Sequence, residues 1–532
     1  MKHRTILSSA AALAVTAGLA VGVPAPATAA VDQAPAADGA TWLVSQLTDD
    51  LVFNPNFGGF VDFGLSIDVA LALDAVDRAP AQVAETSDAL AAQIDGYITG
   101  EAFGDAGSTY ANSVAKALTF AQVAGDDPRS YGGVDLVSRL EGRVAPDGDG
   151  AGRISDVSTF GDNANIIGQS FAARGLDTAG STLAEPVTEY LLASQCSAGF
   201  FTLALSAPGA APACPAGAGP STDVTALAAL NLLSQVDDTD VDVVVDRAAA
   251  WLVSTQNADG SFGSDAMIAT ANANSTGLAG WLLGEVGGAT NQAAAEKAAV
   301  WLRSHQVVNT AGCTPYAAAD EGAIAYDDAA LASVEGSPIT VEAQDQFRRA
   351  TAQALPALLS APDGATSEIT SRSGFVRAGS VQRVPVAASP GDLVCITGPG
   401  ASTSQRVDAD GRVALSVRLP RGTATRAYRV TDGDEVLGTA RFRALAAKRL
   451  QVTAPAAVAN GRKVVLTATG LAPGEKATFK VDGRKRGTDV AGSQGRATLT
   501  VRVTGDAGRT PVVVTGAFAD IRKGATTFRL TR

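Results

Sequence analysis

The chain is short of the residues that most often carry out chemistry. Only two histidines occur in 532 residues, and of these only His305 lies beyond the extreme N-terminus. The four cysteines, at 196, 214, 313 and 395, lack the close spacing of a metal-binding pair. One histidine and dispersed thiols cannot build an ordinary catalytic zinc site, so no metal and no other cofactor is expected. Aromatic residues make up 5% of the chain, which counts against a carbohydrate cleft lined by several stacking rings. Beyond the first residues no apolar run is long enough to span a bilayer, and no C-terminal hydrophobic tail or sorting motif is seen. A G-x-S-x-G nucleophile elbow is also missing.

What is present at the start is Lys2, His3 and Arg4, an apolar stretch from Ile6 to Val23, and the small-residue exit Ala27-Thr28-Ala29. That order predicts a secretory signal peptide over 1–30, cleaved near Ala29 or Ala30. The expected product is secreted, extracellular or cell-wall associated, without a transmembrane segment. Four cysteines in an exported chain suggest two disulfides, though three pairings are possible. Cys196 and Cys214 close a short loop containing Gly and Pro and are the preferred pair. Cys313 and Cys395 would then clip a helical body to the β-region behind it. Two free thiols are the alternative left open.

About 500 residues are too many for one core, and the first 360 are repetitive. A helix ending in an aromatic-Leu pair, often followed by Gln, recurs at Trp42 to Gln46, Tyr190 to Gln195, Trp251 to Gln256 and Trp301 to Gln306. Weaker copies start near Tyr97 and Asp135. Each copy runs into a Gly-containing turn and a second, more apolar helix, as in Gly64 to Val76, Asp223 to Ser234 and Asn274 to Val286. A helix apolar nearly all round must be buried nearly all round, whereas the amphipathic first helices belong outside. Six outer and six inner helices, closing on a last helix near Val341 to Leu359, predict an (α/α)6 toroid over 31–365.

The segments Gln256-Asn257-Ala258-Asp259-Gly260-Ser261-Phe262 and Gln195-Cys196-Ser197-Ala198-Gly199-Phe200-Phe201 have the spacing Q-x-x-x-G-x-aromatic. This resembles the QW repeat of the prenyltransferase and squalene/hopene cyclase superfamily, over about residues 37 to 360. Phe stands where that repeat usually has Trp, and the Tyr97, Asp135 and Trp301 copies are degraded. The resemblance implies a structural repeat, with Gln capping neighbouring helix ends and the aromatic ring stacked on it. The catalytic signatures of such rings are missing. There is no D-x-D-D, because Asp49-Asp50, Asp126-Asp127, Asp237-Asp238 and Asp327-Asp328 all lack its flanks, and no D-D-x-x-D. The run from Asp237 to Asp242 reads as a solvated acidic turn. The Asp, Cys and His zinc set of protein prenyltransferases and a C-G-E-Q thioester are absent too.

After Pro362 the pattern changes to short alternating strands between Gly, Pro and Asp turns. Pro390-Gly391-Asp392 matches Pro473-Gly474-Glu475, and Gly411 to Arg418 matches Gly495 to Arg502, which makes the region two copies of one unit. Two immunoglobulin-like β-sandwich domains, 366–447 and 448–532, are expected. The second holds 16 Lys and Arg against 5 Asp and Glu, inside a chain whose net charge is -13. A basic end on an acidic body suggests an electrostatic anchor to an anionic cell-wall polymer.

Small polar residues recur where inner helices begin: Asp68, Asn112, Asn163, Asn165, Asp223, Asn272, Asn274 and Glu321. As caps they would satisfy helix N-termini. As a group they would line one mouth of the toroid and hold a ligand bearing a polar or anionic group. The leading expectation is therefore a non-catalytic protein that binds an unknown small molecule or a protein, with no nucleic-acid partner. One alternative is an enzyme of the isoprenoid cyclase/prenyltransferase or glycan lyase/hydrolase type, using carboxylates among Asp68, Asp223, Asp320, Glu321 and Asp327. The other is a cobalamin-carrier-like binder, which the chain resembles only in pairing an α/α ring with a β-domain.

Overall fold

The computed structural model describes residues 30–235, 238–265, 268–364, 369 and 373–532. Residues 1–29 of the expected signal peptide, Asp237 and the boundary expected at 365–366 lie outside the described residues.

The first part is built of helix pairs. In chain order they are α1 (Ala34–Ser45) with α2 (Phe63–Ala75); α3 (Pro80–Ala91), the short α4 (Ile94–Ile98) and α5 (Ala111–Ala124); α6 (Leu136–Glu141) with α7 (Ile166–Thr178); α8 (Ala184–Ala193) with α9 (Thr222–Leu232); α10 (Thr239–Thr255) with α11 (Ala273–Val286); and α12 (Ala289–Ser304), the short α13 (Asp328–Ser333) and α14 (Val341–Ala354). The second helices α2, α5, α7, α9, α11 and α14 each pack against the next, and α14 packs back against α2. Their apolar sides share one cluster of buried residues running from Ala36 to Leu358. Between α1 and α2 lies a small hairpin, β1 (Phe53–Asn54) and β2 (Phe60–Val61). Among the described residues no helix is long and apolar enough to cross a membrane.

Side-chain amides hold the pairs together. Gln195 Nε2 donates to Gly199 O at 2.9 Å and to Val244 O in α10 at 2.8 Å. Gln256 Nε2 donates to Gly260 O at 2.9 Å and to Ala294 O in α12 at 2.8 Å. Gln306 Nε2 donates to Gly322 O at 3.1 Å and to Pro35 O in α1 at 2.8 Å, so the last unit is bonded to the first. Where the Asp135 copy has no such Gln, Gln169 of α7 makes the equivalent pair of bonds, to Gly152 O at 2.8 Å and Val187 O at 3.0 Å. The turn glycines must also be glycine. A Cβ on Gly260, at φ +94°, would lie 2.4 Å from Lys297 O, and one on Gly199, at φ +99°, 2.4 Å from Arg247 O. Gln256→Ala leaves two such carbonyls without their donor and is expected to cost about 1–3 kcal/mol, read as a lower urea midpoint of the helical body.

Two β-units follow. The first contains β3 (Phe375–Arg377), β4 (Val381–Ala387), β5 (Leu393–Gly398), β6 (Ala401–Arg406), β7 (Arg412–Arg418), β8 (Ala424–Asp432) and β9 (Glu435–Leu445). Its sheets, in the orders β3-β9-β8-β5-β6 and β4-β7, share one apolar cluster. The second contains β10 (Lys448–Arg449), β11 (Gln451–Thr453), β12 (Ala457–Ala459), β13 (Lys463–Thr469), β14 (Lys476–Val481), β15 (Arg484–Val490), β16 (Arg496–Arg502), β17 (Gly508–Thr515) and β18 (Arg522–Thr531). Its sheets are β10-β18-β17-β14-β15, with β12 also on β18, and β11-β13-β16, again around a separate apolar cluster. Pairings β4-β7, β5-β6, β5-β8 and β8-β9 of the first unit recur as β13-β16, β14-β15, β14-β17 and β17-β18 in the second.

Disulfides join Cys196 to Cys214 and Cys313 to Cys395, and the second ties the helical part to β5. Arg303, fully buried at the end of α12, donates to Pro362 O at 3.0 Å, Pro390 O at 2.9 Å and the Asp32 carboxylate at 2.8 Å.

Candidate functional site

The second helices are in register. In five of the six units a backbone N–H from the turn donates to a side chain of the second helix: Val52 to Ser66 Oγ, Ile154 to Gln169 Oε1, Phe201 to Thr225 Oγ1, Phe262 to Thr276 Oγ1 and Ile324 to Thr351 Oγ1, all at 2.8–3.0 Å. Two residues before each acceptor stand Gly64, Ile167, Asp223, Asn274 and Arg349. In α5 the corresponding place, two residues after the N-cap, belongs to Asn112. One turn deeper come Asp68, Lys116, Phe171, Leu227, Leu278 and Gln353, and then Leu71, Thr119, Arg174, Leu230 and Trp281. Partial exposure follows this stripe at Gly64, Asp68 and Leu71, at Asn112 and Lys116, and at Asp223, Leu227 and Leu230. The spacing is that of one helix face. Phe171 and Leu278 are 5% and 3% exposed, so the second level is filled on their side.

The first level is mostly polar, and the second is polar on the side of α2, α5 and α14, where it has Asp68, Lys116 and Gln353. Lys116, one of two lysines between residues 30 and 447, lies 2.6 Å from Asp68 and donates to Gly64 O at 2.9 Å. Burial works against its ammonium, but Asp68, then Tyr97 and Asp62, together outweigh it and hold the Lys116 pKa above its ordinary value. Asp62 caps α2 through Leu65 N at 2.9 Å and also pairs with Arg349 of α14, which reaches Asp345 at 3.0 Å. Asn112 bridges to the next helix, donating to Asn163 O at 3.0 Å and accepting from Asn165 N at 3.2 Å. Asp223 accepts from Ser264 Oγ at 2.9 Å, and its other oxygen is buried without a hydrogen-bond partner. Burial is the main cause that raises its pKa, opposed in part by the nearby Ser275 hydroxyl and then by the Ser264 hydroxyl. The side-chain oxygen of Asn274 is likewise buried and unpartnered. Burial, and then Asp223, raise the pKa of Tyr326. Deeper in, Arg174 donates to Asn231 Oδ1 at 3.4 Å; burial lowers its pKa, and the carboxylate of Asp74 opposes this.

The residues singled out from sequence divide into three groups. Asn165 and Asn272 are N-caps, accepting from Gly168 N at 3.1 Å and Ser275 N at 2.9 Å. Asn112, Asp223 and Asn274 lie in the first turns of their helices and Asp68 a turn further in, while Asn163 precedes α7 and offers its carbonyl to Asn112. Glu321 drops out of the set: it is exposed, follows a short 3-10 turn at Ala318–Asp320 and begins no helix. Asp320 and Asp327, candidate acids of the glycan reading, accept from backbone N–H groups, Ile339 at 2.7 Å and Ala330 at 2.8 Å. His305, the C-cap residue of α12, is buried and stacked on Trp301 with ring centroids 3.7 Å apart. Sequence reasoning missed Lys116, Asp62 and Arg349. The only signal for Lys116 was the rarity of lysine in an otherwise acidic body. A separate open depression of about 490 Å3 lies beside α6, where Arg139 and Arg143 face Asp135 and Thr109.

The sequence matches no family model and no curated protein. Among solved structures, the chain is similar to a type II terpene cyclase from Scytonema, with 15% identity and a TM-score of 0.43 over 61% of this chain and 95% of that one. It is similar to a protein from Actinoplanes, with 17% identity and a TM-score of 0.41 over 62% and 99%. It is also similar to ent-copalyl diphosphate synthase from Streptomyces platensis, with 18% identity and a TM-score of 0.37 over 56% and 50%.

Proposed function

We propose that the chain is a secreted, non-catalytic binding protein. In this reading residues 31–365 form an (α/α)6 toroid with the second helices inside, and a small ligand or a partner settles at the mouth made by their N-terminal turns. Residues 366–447 and 448–532 are two immunoglobulin-like sandwiches, of which the basic one holds the protein to an anionic cell-surface polymer. The observation that carries the non-catalytic part is the state of the mouth acids. Asp68 is neutralised by Lys116 and Asp62 by Arg349, so neither is a free general base or nucleophile. The unpartnered oxygens of Asp223 and Asn274 are acceptors, which suits a ligand carrying N–H or O–H donors.

Native mass spectrometry of the protein from its own culture medium tests the mouth. A bound species present in the wild type and lost from Asp223→Ala and Asn274→Ala supports the reading, and a ligand-free wild-type mass opposes it. A salt wash of intact cells tests the anchor, which should release the protein as ionic strength rises. Retention at high salt, or no attachment at any salt, sinks it.

The raised pKa of Asp223 favours a second reading, an enzyme of the isoprenoid-cyclase type in which this carboxyl acts as an acid. Turnover of an isoprenoid substrate that disappears in Asp223→Asn would establish it in place of the first.

A further inference from the structure

We infer that the outer face of the sheet β10-β18-β17-β14-β15 is a docking surface for a linear polyanion on a flexible, non-aromatic backbone, a polyol phosphodiester in chemistry. The inference rests on the anchoring reading above and names its surface and polymer class.

Alternation along the strands sorts the side chains. Ala477, Phe479, Val481, Val512, Val514, Phe528 and Leu530 point into the core, which turns their neighbours outward. The outward positions hold Lys476, Lys480, Lys485, Arg509, Lys523 and Arg529, with Arg449 beside Lys523 on the edge strand, and all seven are exposed. The register sets three like-charge pairs directly opposite each other: Lys480 and Lys485, Arg509 and Arg529, and Arg449 and Lys523. Such pairs are destabilising, so their accumulation on one face is a cost that a bound polyanion would remove. Among the described residues none of the seven takes part in an ion pair.

The five acids of this unit do not relieve them. Glu475 is buried against Arg522, Asp520 pairs with Arg377, and Asp489 accepts from Thr498 N. Asp482 and Asp506 lie in the turns after β14 and β16 and, among the described residues, form no ion pair. Between the cations stand Thr478, Thr515, Thr527, Val513 and Ala525, which add hydroxyl groups to the face. No aromatic side chain occupies an outward position. A single-stranded nucleic acid site uses aromatic platforms for its bases. A polymer with phosphates and hydroxyls but no rings needs only the cations and the threonines.

The test uses the full chain and immobilised poly(glycerol phosphate) over a series of salt concentrations. K480Q/R509Q/R529Q removes three charges from this face. K463Q/R496Q/R502Q removes three from the outer face of β11-β13-β16 and has the same net charge. The first variant should lose about tenfold or more in affinity, lower the slope of log K against log salt by about 2, and melt no lower than the wild type. The second should stay within threefold of the wild type. Equal losses in both overturn the face but leave the anchoring reading intact. A wild type that does not bind, or binds independently of salt, overturns that reading as well. Tighter binding of single-stranded DNA at equal phosphate overturns the polymer class. A clearly lower melting temperature of the first variant overturns the cost argument.

Discussion

Glu475→Ala lowers the stability of the last β-unit by about 3–5 kcal/mol. Glu475 and Arg522 are 0% and 1% exposed and meet through two hydrogen bonds of 2.7 Å. The same carboxylate accepts from Ala472 N at 2.7 Å and Ala517 N at 3.0 Å, while Arg522 also donates to Ala446 O at 2.9 Å and Gly470 O at 3.2 Å. The pair thus joins the segment before β10 to the loops before β14 and after β17. Removing the carboxylate leaves a guanidinium buried without its counter-charge and two N–H groups without an acceptor, which is why one truncation costs more than the pair contributes net. Glu475→Leu combined with Arg522→Met should lose less than the sum of the two single changes, measured by denaturant unfolding. The pair also sets an acid limit. Burial raises the Glu475 pKa, but Arg522 and the two backbone donors outweigh it and leave the pKa lowered. A lowered carboxyl contributes stability that is present above its unfolded value near 4.5 and is lost as pH falls through the folded value. The wild type should therefore lose stability below about pH 4.5 more steeply than Glu475→Gln.

How much of this could be read from the sequence differs by level. The helix pairs were legible because Trp42, Tyr190, Trp251 and Trp301 mark equivalent helix ends, and the Gln195 and Gln256 turns have their glycines at fixed offsets. Duplication of the β-unit was legible because Gly411 to Arg418 and Gly495 to Arg502 keep their alternation. The register of the second helices was not, because one structural task is performed by Ser66, Gln169, Thr225, Thr276 and Thr351. A hydroxyl and an amide can each accept from one N–H, so residue identity drifts while geometry stays. For the same reason Gln169, on a second helix, could replace an amide missing from a turn. Asp68 was picked out as a helix-start residue, yet its partner Lys116 lies 48 positions away on another helix. Asp392 and Glu475 were aligned by sequence, but the alignment did not reveal that they meet different arginines. Glu475 pairs with Arg522 of its own unit, and Asp392 faces Arg303 of the helical body at 4.0 Å.

That second arginine carries the other large effect. Arg303→Met should uncouple the helical body from the first β-unit at a cost of about 3–5 kcal/mol, splitting one calorimetric transition into two while the Cys313–Cys395 disulfide keeps the parts tethered. The methionine keeps most of the buried stem but leaves Asp32 Oδ2 and the carbonyls of Pro362 and Pro390 without the Arg303 donor. Acids crowd this junction. Burial is the main cause that pushes Asp432 up to about 7 and Asp38 up to about 6, and it raises Asp392 as well, with Arg303 pulling Asp432 and Asp392 back down. A carboxyl whose folded pKa is raised favours folding below its unfolded value, and the advantage is lost as pH rises through the folded value. The coupling of the two parts should therefore weaken between about pH 4 and pH 7, opposite in direction to the Glu475 pair. The two sites then separate by variant. Asp432→Asn should flatten the upper part of that pH dependence. Arg303→Met should move it to higher pH, because Asp432 and Asp392 lose the cation that most favours their charge. A junction whose pH dependence is the same in both variants and the wild type would mean that docking is held by the disulfide and apolar packing, with the charges as bystanders.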